Sequence, residues 1–114
     1  MARTGLHGPH ALNEKTIDAN VSANIGAYAL GRMNNDTFYV DYVGRSDTDL
    51  NKRLKDWIGK YPSFKYGHFD TVQIAFVREC RMYHDFSGLD NSVHPARPRG
   101  ASYGCPDSNC TDLD

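Results

Sequence analysis

Residues 26–43, "GAYALGRMNNDTFYVDYV", constrain the fold more than any other stretch. In "TFYVDYV", Phe38, Val40 and Tyr42 alternate with Tyr39, Asp41 and Val43, the period-two pattern of a half-buried strand. Residues 26–31 read as a second strand, and "MNND" between the two supplies turn residues that tolerate positive φ. The pair is a β-hairpin, and its register decides where the tyrosines go. A slip of one residue sends every side chain to the opposite face. Burial of the apolar set favours Tyr28 opposite Tyr42 and Leu30 opposite Val40, with both tyrosines on one face. That register needs an odd loop of about three or five residues.

A helix is expected next. Ser46 reads as its N-cap, with Asp49 at the third helical position in a capping box, and Leu50, Leu54, Trp57 and Ile58 as its buried stripe. Gly59, Lys60 and Pro62 end it. "KYPSFKYGHFD" then reads as a loop, and "TVQIAFV", residues 71–77, as a central strand. A second helix is expected to start near Arg78 and run through "ECRMYHDF". Ahead of the hairpin, residues 1–10 read as a mobile tail, and residues 11–24 as a short amphipathic helix on Leu12, Ile17 and Val21. The Pro, Gly and Ser-rich end of the chain is expected to be irregular. The expected organisation is therefore a tail and short helix over 1–23, a domain over 24–95 and an irregular tail over 96–114. The order β-β-α-β-α implies a small α+β domain, a three-stranded antiparallel sheet flanked by helices.

Composition narrows the setting. With 39% hydrophobic and 24% charged residues, the 114-residue chain is expected to fold as one domain. No apolar run approaches the roughly 20 residues that span a membrane, and "MARTGLHGPHAL" holds no secretory core segment. A cytoplasmic, nucleoid-associated location is expected, with no membrane partner. Net charge is -1, but ten of the 13 Lys and Arg fall between Arg45 and Arg99, which allows a local basic face. Three cysteines without a signal segment argue against a disulfide framework.

Several side chains stand out by position. Arg53 sits at the edge of the apolar stripe, where its stem covers the core or its guanidinium reaches over the sheet. Glu79 starts the apolar face that Tyr83 and Phe86 continue, and a carboxylate there needs a cation, a metal or backbone N–H groups. Tyr28 and Tyr42, taken singly, are core tyrosines with hydroxyls at the rim.

Their order along the chain adds information. Gly26-Ala27-Tyr28, then Tyr42-Val43-Gly44, then an arginine on the following helix and a glutamate on the helix after the third strand, resemble the GIY-YIG nuclease domain. Asn91, twelve residues after Glu79, matches the asparagine that closes the core of that family. Ala27 and Val43 replace the two isoleucines of the motif. Arg53 also lies one residue farther from Tyr42 than is usual. The resemblance covers roughly residues 24–95.

The resemblance implies a metal-dependent endonuclease that hydrolyses DNA phosphodiester bonds with one Mg²⁺ or Mn²⁺ on Glu79. It implies that Tyr28 and Tyr42 activate or orient water, that Arg53 and Arg45 bind the phosphate, and that Asn91 ties the site together. Duplex or structured DNA is the implied partner, in repair, recombination, restriction or mobile-element roles, with a protein partner as one source of specificity. A catalytically silent nucleic-acid-binding module is the alternative, and a purely structural domain a third. His68 and His84 are weaker candidates for a general base or second metal contact. "CPDSNC" spaces Cys105 and Cys110 by four residues, and with Cys80 or His94 they form a weak zinc pattern. Free thiols in a loose tail are the expectation there.

Overall fold

The computed structural model describes residues 4–106. The elements are β1 (His7–Ala11), α1 (Glu14–Asn20), β2 (Gly26–Asn34), β3 (Thr37–Ser46), α2 (Leu50–Lys55), β4 (Ser63–His68) and α3 (Val72–Asp85). The fold is α+β. Its sheet has four antiparallel strands in the order β1-β4-β2-β3, one more than the sequence implied. Ile17 of α1 and Leu50 and Leu54 of α2 pack with Tyr28, Leu30 and Phe64 on one face. Met82 of α3 packs on the small residues Ala27 and Ala29, and on Val43, on the other.

The hairpin turns at Asn35 and Asp36, whose φ values are 51° and 66°. That is a two-residue turn of the mirror-image type that suits Asn and Asp, not the longer loop expected. A two-residue turn alone would send Tyr28 and Tyr42 to opposite faces. A bulge corrects the parity. Gly31 pairs with Val40 but Leu30 pairs with Tyr42, so Asp41 is the extra residue. Tyr28 consequently lies opposite Gly44 instead of Tyr42, yet both tyrosines share the α1–α2 face. Gly31 is required at the bulge, because any Cβ there would run into the Tyr39 carbonyl.

The third strand of the hairpin sheet is β4, not residues 71–77. Phe64 and Tyr66 stand opposite Leu30 and Tyr28, so the stretch expected as a loop supplies the strand on the inner side of β2. "TVQIAFV" instead opens α3. Thr71 caps it by accepting from the Ile74 N–H at 3.1 Å, and Ala75, Phe76, Glu79, Cys80 and Met82 are buried at helical spacing. A short apolar run fits a central strand and a buried helix equally well until the residues beyond it are counted.

The helix after the hairpin also starts later than expected. Ser46 is the last residue of β3, and its Oγ accepts from the Asp49 N–H at 2.9 Å. Asp49 is the true N-cap, accepting from the Lys52 N–H at 3.0 Å. The helix closes at Lys55, so Trp57 and Ile58 lie beyond it. Trp57 still packs on the core, whereas Ile58 is exposed.

The amino-terminal residues are part of the domain. β1 pairs with β4, Thr4 is buried, and Leu12, Ile17 and Val21 enter the same core as Tyr28. After α3, residues 86–106 hold no regular element, as expected. They are nonetheless fastened to the free edge of β3. The Asp90 N–H donates to the Asp41 carbonyl at 2.6 Å. The Asn91 side chain accepts from the Val43 N–H at 3.0 Å and donates to the Val43 carbonyl at 2.9 Å. No helix among the described residues is long and apolar enough to cross a membrane.

Candidate active site

β3 is an edge strand, and its last residues alternate around that edge. Tyr42 and Gly44 belong to the α1–α2 face, while Val43 and Arg45 belong to the α3 face. A cleft of about 330 Å³ opens at this edge, lined by Arg45, Ser46, Asp47, Thr48, Arg53, Glu79 and Ala96. Arg53 reaches it from α2 and Glu79 from α3. Three of the implied site residues, far apart in sequence, thus share one cleft.

Arg45 is held on three sides. Its Nε donates to Asp47 Oδ1 at 2.7 Å, its Nη1 to Glu79 Oε1 at 2.7 Å, and its Cζ lies 5.2 Å from the centre of the Phe76 ring. The Arg45 and Glu79 side chains are only 10% and 9% exposed, so the pair is largely desolvated. Burial alone would lower the Arg45 pKa, but Asp47 and Glu79 outweigh it and hold the guanidinium more firmly charged. Burial pushes the Glu79 carboxyl up, and the Arg45 hydrogen bond and charge pull it only part of the way back. Among the described residues no donor reaches the second carboxylate oxygen, Oε2. Arg53 differs in kind: it is exposed, and no described acidic side chain pairs with it.

The tyrosines stand beside the cleft without lining it. Tyr28 is buried, and its hydroxyl accepts from the Trp57 indole N–H at 2.9 Å. Its ring lies across Gly44, where any Cβ would collide with it. The glycine of Tyr42-Val43-Gly44 is therefore the space that the tyrosine of Gly26-Ala27-Tyr28 occupies. Burial pushes the Tyr28 hydroxyl far above the usual phenol range, against a smaller lowering by the Trp57 hydrogen bond. Tyr42 is half-buried and stacks on Trp57 at 4.6 Å. Burial raises its pKa as well, with the Glu79 charge adding and the Arg53 charge opposing. Both hydroxyls are thus within electrostatic range of Glu79 and Arg53. Asn91 lies at the same edge, bonded to Val43 between Tyr42 and Gly44.

The two histidine candidates are elsewhere. His68 clips β4 to the segment before β2. Its Nε2 accepts from the Ser22 N–H at 3.0 Å, which leaves Nδ1 to donate to the Ile25 carbonyl at 3.0 Å. Both ring nitrogens are committed, so His68 is a structural clip, away from the cleft. His84 lies one turn beyond Cys80 on α3, with Nε2 at 3.3 Å from Cys105 Sγ. Cys110 is outside the described residues.

No family model, curated protein or solved structure matches the chain. The site therefore has to be read from its own chemistry. A buried carboxylate with one uncommitted oxygen, facing a solvent-filled cleft, suits a hard divalent cation that keeps waters and takes the rest of its ligands from a phosphate. Arg53, a guanidinium in the same cleft with no acidic partner among the described residues, suits a phosphate oxygen. Two residues that shape this site were not readable as such. Asp47 reads from sequence as a helix-dipole carboxylate but anchors Arg45 across the bend that follows β3; only its closeness in sequence to Arg45 signals the pairing. Trp57 reads as core, and its bond to Tyr28 spans 29 positions, with no local signal to announce it.

Proposed function

We propose that the chain is a metal-dependent endonuclease of the GIY-YIG type that hydrolyses DNA phosphodiester bonds. The observation that carries the reading is the shared cleft: Arg53 and Glu79, 26 positions apart and on different helices, face one solvent-filled space at the edge that Tyr42 and Tyr28 adjoin. Five sequence matches in order support it, and so does the steric fit of Tyr28 over Gly44.

Glu79 would hold one Mg²⁺ or Mn²⁺ through Oε2. A metal held there would supply Lewis-acid chemistry at the phosphate and its departing oxygen. The protein's own groups have separable tasks. Arg45 keeps Glu79 oriented and opposes the rise in its pKa. Arg53 binds the phosphate and offsets the charge that develops on its oxygens. Tyr42, the more accessible phenol, orients water or a phosphate oxygen through its hydroxyl. Tyr28 is a poor proton acceptor at neutral pH, because burial disfavours its phenolate. With its oxygen fixed by Trp57, it serves as an oriented hydrogen-bond donor. Asn91 positions the strand that carries Tyr42 and Arg45.

The test is nicking of supercoiled plasmid with Mn²⁺, comparing the native chain with Arg53→Ala. Loss of about 100-fold or more in rate is expected, in line with removal of one transition-state donor. Because Arg53 is exposed, its unfolding free energy should move by less than about 0.5 kcal/mol. An Arg53→Ala chain that nicks as fast as the native one sinks the assignment. One observation favours the second reading, a silent DNA-binding module: Arg45 already occupies Glu79 Oε1. DNA binding that weakens steeply with salt, with no nicking under any divalent ion, would select it.

A further inference from the structure

Four residues that take no part in the cleft converge on the far side of α3. Cys80 and His84 are four apart on one helix, so their side chains share a face. The segment after α3 returns over that face and brings His94 and Cys105. One ligand atom from each of Cys80, His94 and Cys105 lies within 4.8 Å of the other two. His84 Nε2 is 3.3 Å from Cys105 Sγ, and the His84 and His94 rings are 5.3 Å apart between centres.

We propose that Cys80, His84, His94 and Cys105 bind one Zn²⁺ as a structural site. Two sulfurs and two imidazoles form a closed tetrahedral set for this metal, with bonds of about 2.3 Å to sulfur and about 2.0–2.1 Å to nitrogen. At tetrahedral angles those bonds separate ligand atoms by roughly 3.3–3.8 Å; Cys80, His94 and Cys105 already lie within 4.8 Å of one another, and His84, which reaches Cys105 but stands outside that group, turns in as the fourth ligand. Thiolates select a soft or borderline ion over Mg²⁺. The His94 Nδ1 donates to the Pro95 carbonyl at 2.9 Å, a backbone bond of the kind that orients a ligating ring.

The architecture gives such a site a purpose. Residues 86–106 contain no helix or strand, and a run of that length needs anchors of its own. Asp90 and Asn91 fasten its beginning to β3. The zinc would fasten its remainder to α3. Ala96, two residues after His94, lines the cleft beside Glu79, so the same ion would fix one wall of the candidate active site. The pattern is not visible along the chain. Cys80 and His84 share a helix face by spacing, but nothing along the chain brings His94 and Cys105 to it, and Cys110 lies outside the described residues.

The proposal does not depend on nuclease activity, and neither does its test. The full chain, purified under reducing conditions, should carry about one zinc per molecule by elemental analysis. Co²⁺ added in its place should give thiolate-to-metal charge-transfer bands and the intense visible bands of a tetrahedral site. Cys105→Ser and His84→Gln, both at partly exposed positions, should each weaken Co²⁺ binding by more than the 10- to 100-fold expected of an outer-shell residue, with far-ultraviolet circular dichroism retained. A metal-free native chain with no tetrahedral cobalt spectrum overturns the proposal. So does a Cys80–Cys105 disulfide in the reduced preparation, or a Cys105→Ser chain that keeps its zinc.

Discussion

Glu79 and Cys80 are consecutive on α3 and face different chemistry. Glu79 turns toward the end of β3, where its partners are a guanidinium and an open, polar cleft. Cys80 turns toward the returning carboxy-terminal segment, where its neighbours are sulfur and imidazole. The step of about 100° between successive helical residues is all that separates an oxygen site from a sulfur site. One rigid helix can thereby position two sites, each suited to a different class of metal, at little additional conformational cost.

The sharpest way to break this comparison is Glu79→Gln. Mn²⁺-dependent nicking should fall by at least about 100-fold, since the amide is a much weaker ligand for a hard cation. The zinc content and the cobalt spectrum should stay unchanged. If both metals are lost together, α3 does not carry two separable sites. Glutamine is chosen over alanine for a reason visible only in three dimensions. Removing one member of a desolvated ion pair costs about 3–5 kcal/mol, although Asp47 would keep Arg45 partly compensated. The sequence shows that a carboxylate at Glu79 needs a partner but not which; the buried pair with Arg45 supplies it and predicts a clear loss of stability for Glu79→Ala.

That pairing shows where the sequence is and is not informative. The period-two alternation in β3 and the Asn-Asp turn are local signals, so the hairpin is legible. The exact pairing is not, because it depends on a bulge that a sheet neighbour and Gly31 impose. α3 is legible only in its second half; its first turns contain Val72, Ile74, Ala75, Phe76 and Val77, a composition shared by buried strands and buried helices. β1 carries little strand signal, "HGPHA", and exists because β4 offers it an unpaired edge. The candidate site is legible as residues but not as geometry. Tyr28, Tyr42, Arg45, Arg53, Glu79 and Asn91 are identifiable along the chain, whereas the Arg45–Glu79 pair and the indole on Tyr28 are tertiary facts. His68 was a candidate by residue type alone, and its two backbone bonds explain it instead.

A smaller effect sharpens the comparison from the loop that joins the two sites. Asn91→Ala removes two hydrogen bonds to Val43, which should cost about 1–2 kcal/mol in a denaturant titration. If zinc holds the far end of the same segment, the loss should be greater in chelator-treated protein than in zinc-loaded protein. With zinc and Asn91 both gone, the segment would be held to the β3 edge only by the Asp90 N–H bond to Asp41. Equal losses in the two preparations would mean that the sites do not communicate through this loop.

The smallest expected effect concerns the neighbouring anchor. Tyr61 lies against Trp57 with tilted rings 5.9 Å apart and donates to Asp90 Oδ2 at 2.8 Å, beside the Asp90 N–H bond to β3. Burial first, and then the Asp90 hydrogen bond and charge, push the Tyr61 phenol up to about 12. The unfolded chain titrates near the ordinary value of about 10. A folded pKa above the unfolded one means that the contribution is fully present below about pH 10 and is lost as pH rises through about 12. The difference in stability between the native chain and Tyr61→Phe, within about 1 kcal/mol for a half-exposed bond, should be flat from pH 7 to 9 and shrink above pH 10. Asp90→Asn retains an acceptor but removes the charge, so it should make the decline smaller and end it at a lower pH, while the onset, set by the unfolded phenol, stays near about pH 10. A decline of unchanged size would show that burial alone raises the phenol and that the Asp90 charge adds nothing to it.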